Sequence, residues 1–415
     1  MRRQALVLLL VVAIFLLSLA PAVRGDFEGS VPDATAFTTQ RKLVRFSNGT
    51  LALASVIQVS GSNRVQVAES SDGSNWSSLD PPSLQTPSAD RPSLAVDSHD
   101  TLHLAWTANG TGDRQVWYAS YAGGRWSTPL QISETAGYSG FPSIAVDSAD
   151  RVHLAWYGFD GMYYQIYYRM KDAAGWGPQI AATAQSIDAT NPALALDGLD
   201  NVHIVWYRIN SRGTYLEVSY ALLVGGSPTL RTLSSPTESA FDPTLAVDRA
   251  NDVHVAWTSL VGNVSRIVYV MENSTGWSQP SPVTPASVSA SHPSLSLDDA
   301  GGVYLFYQAS DGQIYEQAEA NGTWGQPVLL SHGGQNTYPS SRWSRYPARA
   351  PAGSPTVDLV WTQAVPGGYA VRFSSQPGGA APATPDTFPW IDVAFGAVLV
   401  AVLVVGVIVR RHVRR

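Results

Sequence analysis

The stretch FPSIAVDSADRVHLAWY, residues 141–157, decides the fold. An apolar run, Pro142 to Val146, enters a polar turn at Asp147–Arg151, and a second apolar run, Val152 to Trp156, leaves it. Side chains alternate along both runs: Ile144 and Val146 oppose Ser143 and Ala145, and Val152, Leu154 and Trp156 oppose His153 and Ala155. The pattern predicts a hairpin with one large-residue face and one small-residue face. The same text returns as RPSLAVDSHDTLHLAW from Arg91, NPALALDGLDNVHIVW from Asn191, DPTLAVDRANDVHVAW from Asp242 and HPSLSLDDAGGVYLFY from His292. Its turn aspartates, Asp97, Asp147, Asp197, Asp248 and Asp298, are spaced by 50, 50, 51 and 50 residues, the signature of a repeat architecture.

Degenerate copies from Leu43 (LVRFSNGTLALAS) and Gly353 (GSPTVDLVW) raise the number of units to seven. Each unit continues into a third, aromatic-rich strand (QVWYAS, QIYYRM, YLEVSY, RIVYVM, QIYEQA) and then a Gly turn, mostly with Trp and Pro (RWSTP, GWGPQ, GWSQP, TWGQP). Four short strands repeated seven times predict an all-β, seven-bladed β-propeller, in which the large face of one blade fills against the small face of the next. The expected blades lie near 40–86, 91–134, 141–184, 191–235, 242–285, 292–332 and 338–375. The last has no fourth strand of its own, which argues against an open solenoid. EGSVPDATAFTT, residues 28–39, resembles a fourth strand and is expected to complete blade seven and fasten the ring.

The 415 residues include 14% charged, 35 Gly, 27 Pro and no Cys, so disulfides, thiolate zinc sites and Cys nucleophiles are excluded. Residues 1–25 read as a signal peptide, with Arg2 and Arg3 ahead of an apolar stretch; an uncleaved anchor is the alternative. Val393 to Val409 is apolar and precedes RRHVRR, so 390–409 is expected to span a membrane once, with 410–415 as a cytoplasmic tail. The propeller, 26–375, would then be extracellular at the cell membrane, on a Pro/Gly/Ala-rich stalk at 376–389. Leaving out the six arginines at the two ends takes the formal net charge from −6 to −12, and only Lys42 and Lys171 are lysines, which argues against nucleic acid as a partner. Asn48, Asn75, Asn109, Asn263, Asn273 and Asn321 open Asn-x-Ser/Thr sequons, as expected of a glycoprotein.

ESSDGSNWSS, residues 69–78, resembles an Asp-box of the sialidase-like and BNR-repeat propellers, with Ser70, Asp72, Gly73 and Trp76 at the matching positions. The resemblance covers residues 38–375 and implies that this turn is structural, between third and fourth strands. Catalytic sialidases carry three arginines, a Tyr–Glu couple and an acidic donor. Here Arg41-Lys42-Leu43 stands nearest to their first arginine motif and lacks its Pro. Glu217, Glu272, Glu316 and Glu319 lie in or near third strands, and Tyr315 is adjacent to Glu316 rather than a spatial partner. No catalytic carboxylate pair is identified.

His103, His153, His203 and His254 share one repeat position, and metal ligands would have to converge on one ion, so these histidines are expected to bond within their own blades. No cofactor or metal is expected; the pairs Asp97/Asp100, Asp147/Asp150 and Asp197/Asp200 leave Ca²⁺ as the alternative. Residues that break the repeat are the better candidates. They lie between second and third strands and between blades, two loop sets that share one face. Tyr138, Tyr157, Phe159, Asp160, Tyr163, Arg208, Asn210, Arg212, Asp311, His332 and Tyr338 are the expected ligand-binding residues, a mixture suited to carbohydrate or peptide. The function expected first is a membrane-anchored, non-catalytic propeller that binds an extracellular glycan or protein. The alternatives are a membrane-tethered sialidase-like glycoside hydrolase and a structural envelope component.

Overall fold

The computed structural model describes residues 23–29, 31–86, 88–110, 112–298, 301–320, 322–341 and 356–377. They form seven antiparallel sheets of hairpin-linked strands, one per repeat, which make up a seven-bladed propeller. Blade three shows the plan. Ser139–Val146 is innermost, followed by Val152–Phe159 and Tyr164–Asp172, with the outer strand split into Gly175–Trp176 and Ile180–Ala181.

Neighbouring blades pack large face on small face, as the alternation predicts. Ala95 and Ala105 of blade two meet Ile144, Leu154 and Trp156 of blade three in one buried cluster. Trp106, Trp156, Trp206, Trp257 and Trp361 repeat this wedge in their own blades and are fully buried.

Blade seven closes the ring with a different segment from the one expected. Its outermost strand is Val23–Gly29, paired antiparallel to Gly368–Pro377, whereas residues 31–39 form turns. The strand therefore takes in Val23–Gly25, which the leader boundary at 25 excludes. Residues 31–39 are held by other means: Thr35 N–H donates to the Thr362 hydroxyl at 3.0 Å, and Ala34 carbonyl accepts from Val56 N–H. The segment thereby crosses from the rim of blade seven toward the axis. Leu43, Leu51 and Leu53 of blade one meet Val360, Val371 and Phe373 of blade seven in one cluster. The turn at 69–78 joins that seam. Asp72 accepts from Ser74 N–H, Asn75 N–H and the Asn75 amide, and a Cβ on Gly73 would fall 2.3 Å from the Phe373 ring.

Residues 1–22 and the apolar run at 390–409 lie outside the described residues, as does Asn321. Among the described residues no helix is long and apolar enough to cross a membrane. Asn48, Asn75, Asn109 and Asn263 are exposed and Asn273 is half-buried.

The repeated histidines are scaffold. His153 Nδ1 meets Tyr168 Oη at 2.8 Å and its Nε2 meets Asp147 at 2.9 Å, tying the hairpin turn to the third strand. His103, His203 and His254 repeat the Tyr contact at 2.7, 2.8 and 2.6 Å. The second turn aspartate clips neighbouring blades together: Asp150 accepts from Ser98 N–H, Asp100 from Ser47 N–H and Asp200 from Ser148 N–H. Blade six departs from this plan. Tyr304 replaces the His and donates directly to Asp298 at 2.8 Å, and Glu316 takes the position of the Tyr. Buried among apolar side chains, the Glu316 carboxyl rises from its usual 4.5 to about 7.

Two opposite pH dependences follow. Burial alone would raise Asp147, but hydrogen bonds from His153 and Arg151 outweigh it and hold the carboxyl below the ordinary range. The stability it contributes is present above the unfolded-state carboxylate pKa, near ~4, and lost as pH falls through the depressed folded value. Asp147→Ala is expected to cost about 2 kcal/mol at pH 7 in urea unfolding, with the difference shrinking on acidification. Glu316 has the reverse sign, since its raised value favours the folded state below its usual 4.5 and costs stability as pH rises through about 7. Thermal unfolding of Glu316→Gln should therefore show a melting gain of a few degrees at alkaline pH, and almost none at pH below its usual 4.5.

Candidate functional site

Six inner strands begin alike. A residue before Pro adopts a left-handed backbone: Arg91 (φ 54°), Phe141 (56°), Asn191 (53°), Asp242 (51°), His292 (54°) and Tyr338 (53°). The strand register slips at each of these points, between Asp90 and Ser93 and between Ser291 and Ser294 for example. The cause is local: Pro donates no N–H to the ladder, so the pair bulges out and re-aims the preceding side chain. The bulges sit where each inner strand leaves its inter-blade loop, at the mouth of the central channel. All else in the repeat is similar at these positions, and the re-aimed residue is different in every blade.

The mouth is chemically graded. On one side the Arg91 guanidinium lies between two rings, 4.9 Å from the Phe37 centroid and 4.5 Å from Phe141. Asp90 holds it at 3.1 Å and holds Arg114 at 2.6 Å. Facing it, His292 Nδ1 meets Asp242 at 3.0 Å, and the His292 ring lies 4.7 Å from the Tyr338 ring. Tyr338 is also 5.9 Å from Phe37. Burial raises the Tyr338 phenol, Asp33 and Asp242 raise it further, and Arg91 opposes them. The group therefore stays protonated at neutral pH. Between these sides the Asn191 amide donates to Tyr207 Oη at 3.1 Å. One residue down the channel, Arg41 crosses from blade one to the Leu245 carbonyl of blade five at 3.1 Å, and burial lowers it to about 10. Lys42 beside it is buried and donates to the Pro92 carbonyl and Gln40 Oε1.

The residues expected to bind ligand divide into two groups. Tyr138, Tyr157 and Phe159 belong to a ring cluster continuous with Phe141, and Tyr338 is in the mouth. The others build their own loops. Asp160 accepts from Met162 and Tyr163 N–H, Asn210 from Arg212 and Thr214 N–H, and Asp311 from Gln313 N–H and the Tyr315 hydroxyl. Arg208 donates to Glu217 at 2.8 Å and also to Gln185, and His332 is exposed in its loop. Phe37, Arg91, Phe141, Asp242 and His292 are absent from that set. The signal for Arg91, Phe141, Asp242 and His292 was the variable residue before Pro in RPS, FPS, DPT and HPS, within otherwise repeated text, and Phe37 had no such signal.

On the opposite face, Asp97, His99 and Asp150 bring ligand-type atoms within 4.8 Å of one another. Asp97 there already accepts from His99 N–H and Thr101 N–H, and Asp150 from Ser98 N–H.

No family model matches the chain, and no curated protein matches it by sequence. Solved structures do share its fold. An ulvan lyase of polysaccharide lyase family PL25, bound to -[GlcA(1-4)Rha3S]-, is similar with a TM-score of 0.60 and 11% identity, over 87% of this chain and 96% of its own. The polysaccharide lyase Uly1 gives a TM-score of 0.53 and 9% identity over 84% and 92%. A protein of unknown function from Dyadobacter fermentans gives 0.50 and 12% over 69% and 95%. At these identities the likeness is one of fold, and none of these three gives the 69–78 turn a specifically sialidase-type ancestry.

The expectation of a non-catalytic binder is nevertheless corrected. Two of these propellers, matched over 87% and 84% of this chain, are named as an ulvan lyase and a polysaccharide lyase. The residues that the sequence reading passed over supply acid–base groups and a cation at one mouth.

Proposed function

We propose that the protein is a polysaccharide-cleaving propeller enzyme working at the mouth of its central channel. The observation that carries this reading is the placement of His292, Asp242 and Tyr338 opposite Arg91. Of the carboxylates near the mouth, Asp90 is engaged by two arginines and Asp242 by His292, while Asp33 acts on the Tyr338 phenol. Hydrolysis by paired carboxylates would need one free acid and one free base across the bond. Elimination can take its base and its acid from groups other than carboxylates. In a uronate-containing chain, Arg91 would take the carboxylate and acidify the neighbouring C5 proton. With Nδ1–H on Asp242, His292 offers the Nε2 lone pair as base, and the Tyr338 hydroxyl offers a proton to the departing glycosidic oxygen. The C5–H bond breaks with its proton passing to His292, its electrons form C4=C5, and the C4–O bond breaks so that its oxygen leaves as an alcohol with the Tyr338 proton. The names of the similar propellers support the same substrate chemistry.

Surface anchoring completes the proposal. The last strand of blade seven, Gly368–Pro377, runs from the mouth side to the opposite face, and the closing strand starts there at Val23. A membrane span at 390–409 would therefore leave from the far side and hold the mouth toward the medium.

The chain is to be incubated with ulvan, polygalacturonate and chondroitin while the ultraviolet absorbance of the conjugated product is followed. One of them should yield unsaturated ends, with His292→Ala and Tyr338→Phe slower by about a hundredfold or more. New reducing ends without unsaturation would replace elimination by hydrolysis, and no cleavage of any of the three would refute the reading.

A further inference from the structure

Blade three carries an aromatic row that its sister blades lack. It starts at the axis with Phe37 and Phe141, whose ring centroids are 4.9 Å apart, and continues to Tyr157 at 5.2 Å. From Tyr157 it passes to Tyr164 at 5.4 Å and on to Phe159 at 5.4 Å, moving outward along the top of the blade. Tyr138 flanks it, 5.6 Å from Tyr157. The pseudo-symmetry of the propeller supplies a control. Where blade three has Phe159 and Tyr164, blade two has Asn109 and Arg114, blade four Ile209 and Leu216, and blade five Leu260 and Ser265, whereas the Tyr157 position is Tyr again in blades four and six, as Tyr207 and Tyr307. Packing of the repeat therefore does not demand the outer rings, Phe159 and Tyr164.

Their placement is built. Tyr138 lies flat over Gly140, where a Cβ would stand 2.4 Å from the phenol oxygen. Tyr138, Tyr157, Phe159 and Tyr164 are all half-buried, each with part of its surface open, and Met162 at the loop tip is 73% exposed. Half-open rings in a line offer a surface on which the apolar faces of successive sugars can stack. The row is continuous with the Arg91 end of the mouth, since Phe37 and Phe141 are the rings that sandwich that guanidinium.

We propose that the blade-three row is an extended sugar-binding cleft. It seats the units of an acidic polysaccharide on one side of the unit held in the mouth and so makes the enzyme act within chains rather than on short fragments. The proposal rests on the mouth being the cleavage site. It assigns Tyr157 and Tyr164 to recognition of chain length.

The test is calorimetric binding to the Tyr338→Phe chain of ulvan, polygalacturonate and chondroitin disaccharides and octasaccharides. For the polymer that binds, the octasaccharide should bind about tenfold or more tighter than the disaccharide. The double variant Tyr157→Leu/Tyr164→Leu, which keeps apolar fill, should erase that gain and leave the disaccharide unchanged. For a double variant that melts low, Tyr164→Leu alone should remove about threefold of the gain. A length gain that survives these substitutions, or an absent gain, overturns the cleft. Length-dependent binding through these tyrosines without any cleavage by the unmutated chain would retain the cleft and refute the mouth as a lyase site. Binding by none of the three polymers refutes both.

Discussion

The chemistry at the mouth depends on one backbone constraint, the proline that follows the first residue of six inner strands. Pro cannot donate to the ladder and fixes its own φ, so each inner strand starts with a slip in register. The residue before it takes a left-handed backbone at a cost of about 1–2 kcal/mol for a side chain with a Cβ. Six repetitions of that cost place Arg91, Phe141, Asn191, Asp242, His292 and Tyr338 around one opening. The strain is tolerated because the rest of the blade over-determines its position, with a buried aromatic wedge on one face and, in blades two to five, a His–Tyr contact on the other.

That division of labour explains what the sequence made legible. The 50-residue spacing, the alternation of large and small residues and the turn aspartates each have a repeating physical cause, and a pattern repeated five times is readable without coordinates. His153 could be assigned to the scaffold for the same reason. The mouth was harder to see. The residue before Pro looks like the start of a strand, and nothing in one copy of RPS or HPS says that its side chain swings to the axis. Only the register slip reveals that, and it lies in the pairing with the next strand. Loop residues such as Asp160, Asn210 and Asp311 looked functional because they break the repeat, yet their carboxylate or amide oxygens serve their own turns. Residues 28–39 misled in a related way: their sequence resembles a fourth strand, but residues 31–39 form turns that carry Phe37 to the mouth, while Val23–Gly29 takes the edge of blade seven.

Repetition also separates stability from activity in their response to pH. The turn aspartates hold stability at neutral pH through His and backbone donors, whereas Glu316, in the one blade that exchanges Tyr for a carboxyl, works against it. Neither group lies at the mouth, where a phenol kept protonated by burial and by Asp33 and Asp242 stands beside a histidine fixed by a carboxylate. Acid–base chemistry there is free to be tuned without unsettling the blades, because the groups sit on bulges rather than in the ladders.

The central claim is that this ring of re-aimed side chains is where substrate binds. A crystal structure of the Tyr338→Phe chain with a uronate oligosaccharide tests it most directly. The account predicts a sugar carboxylate on Arg91, with the same sugar within reach of His292 and the site of the missing Tyr338 hydroxyl. A saccharide seated instead on the Asp97/Asp147 turn face or along the outer strands, with the mouth empty, would contradict it.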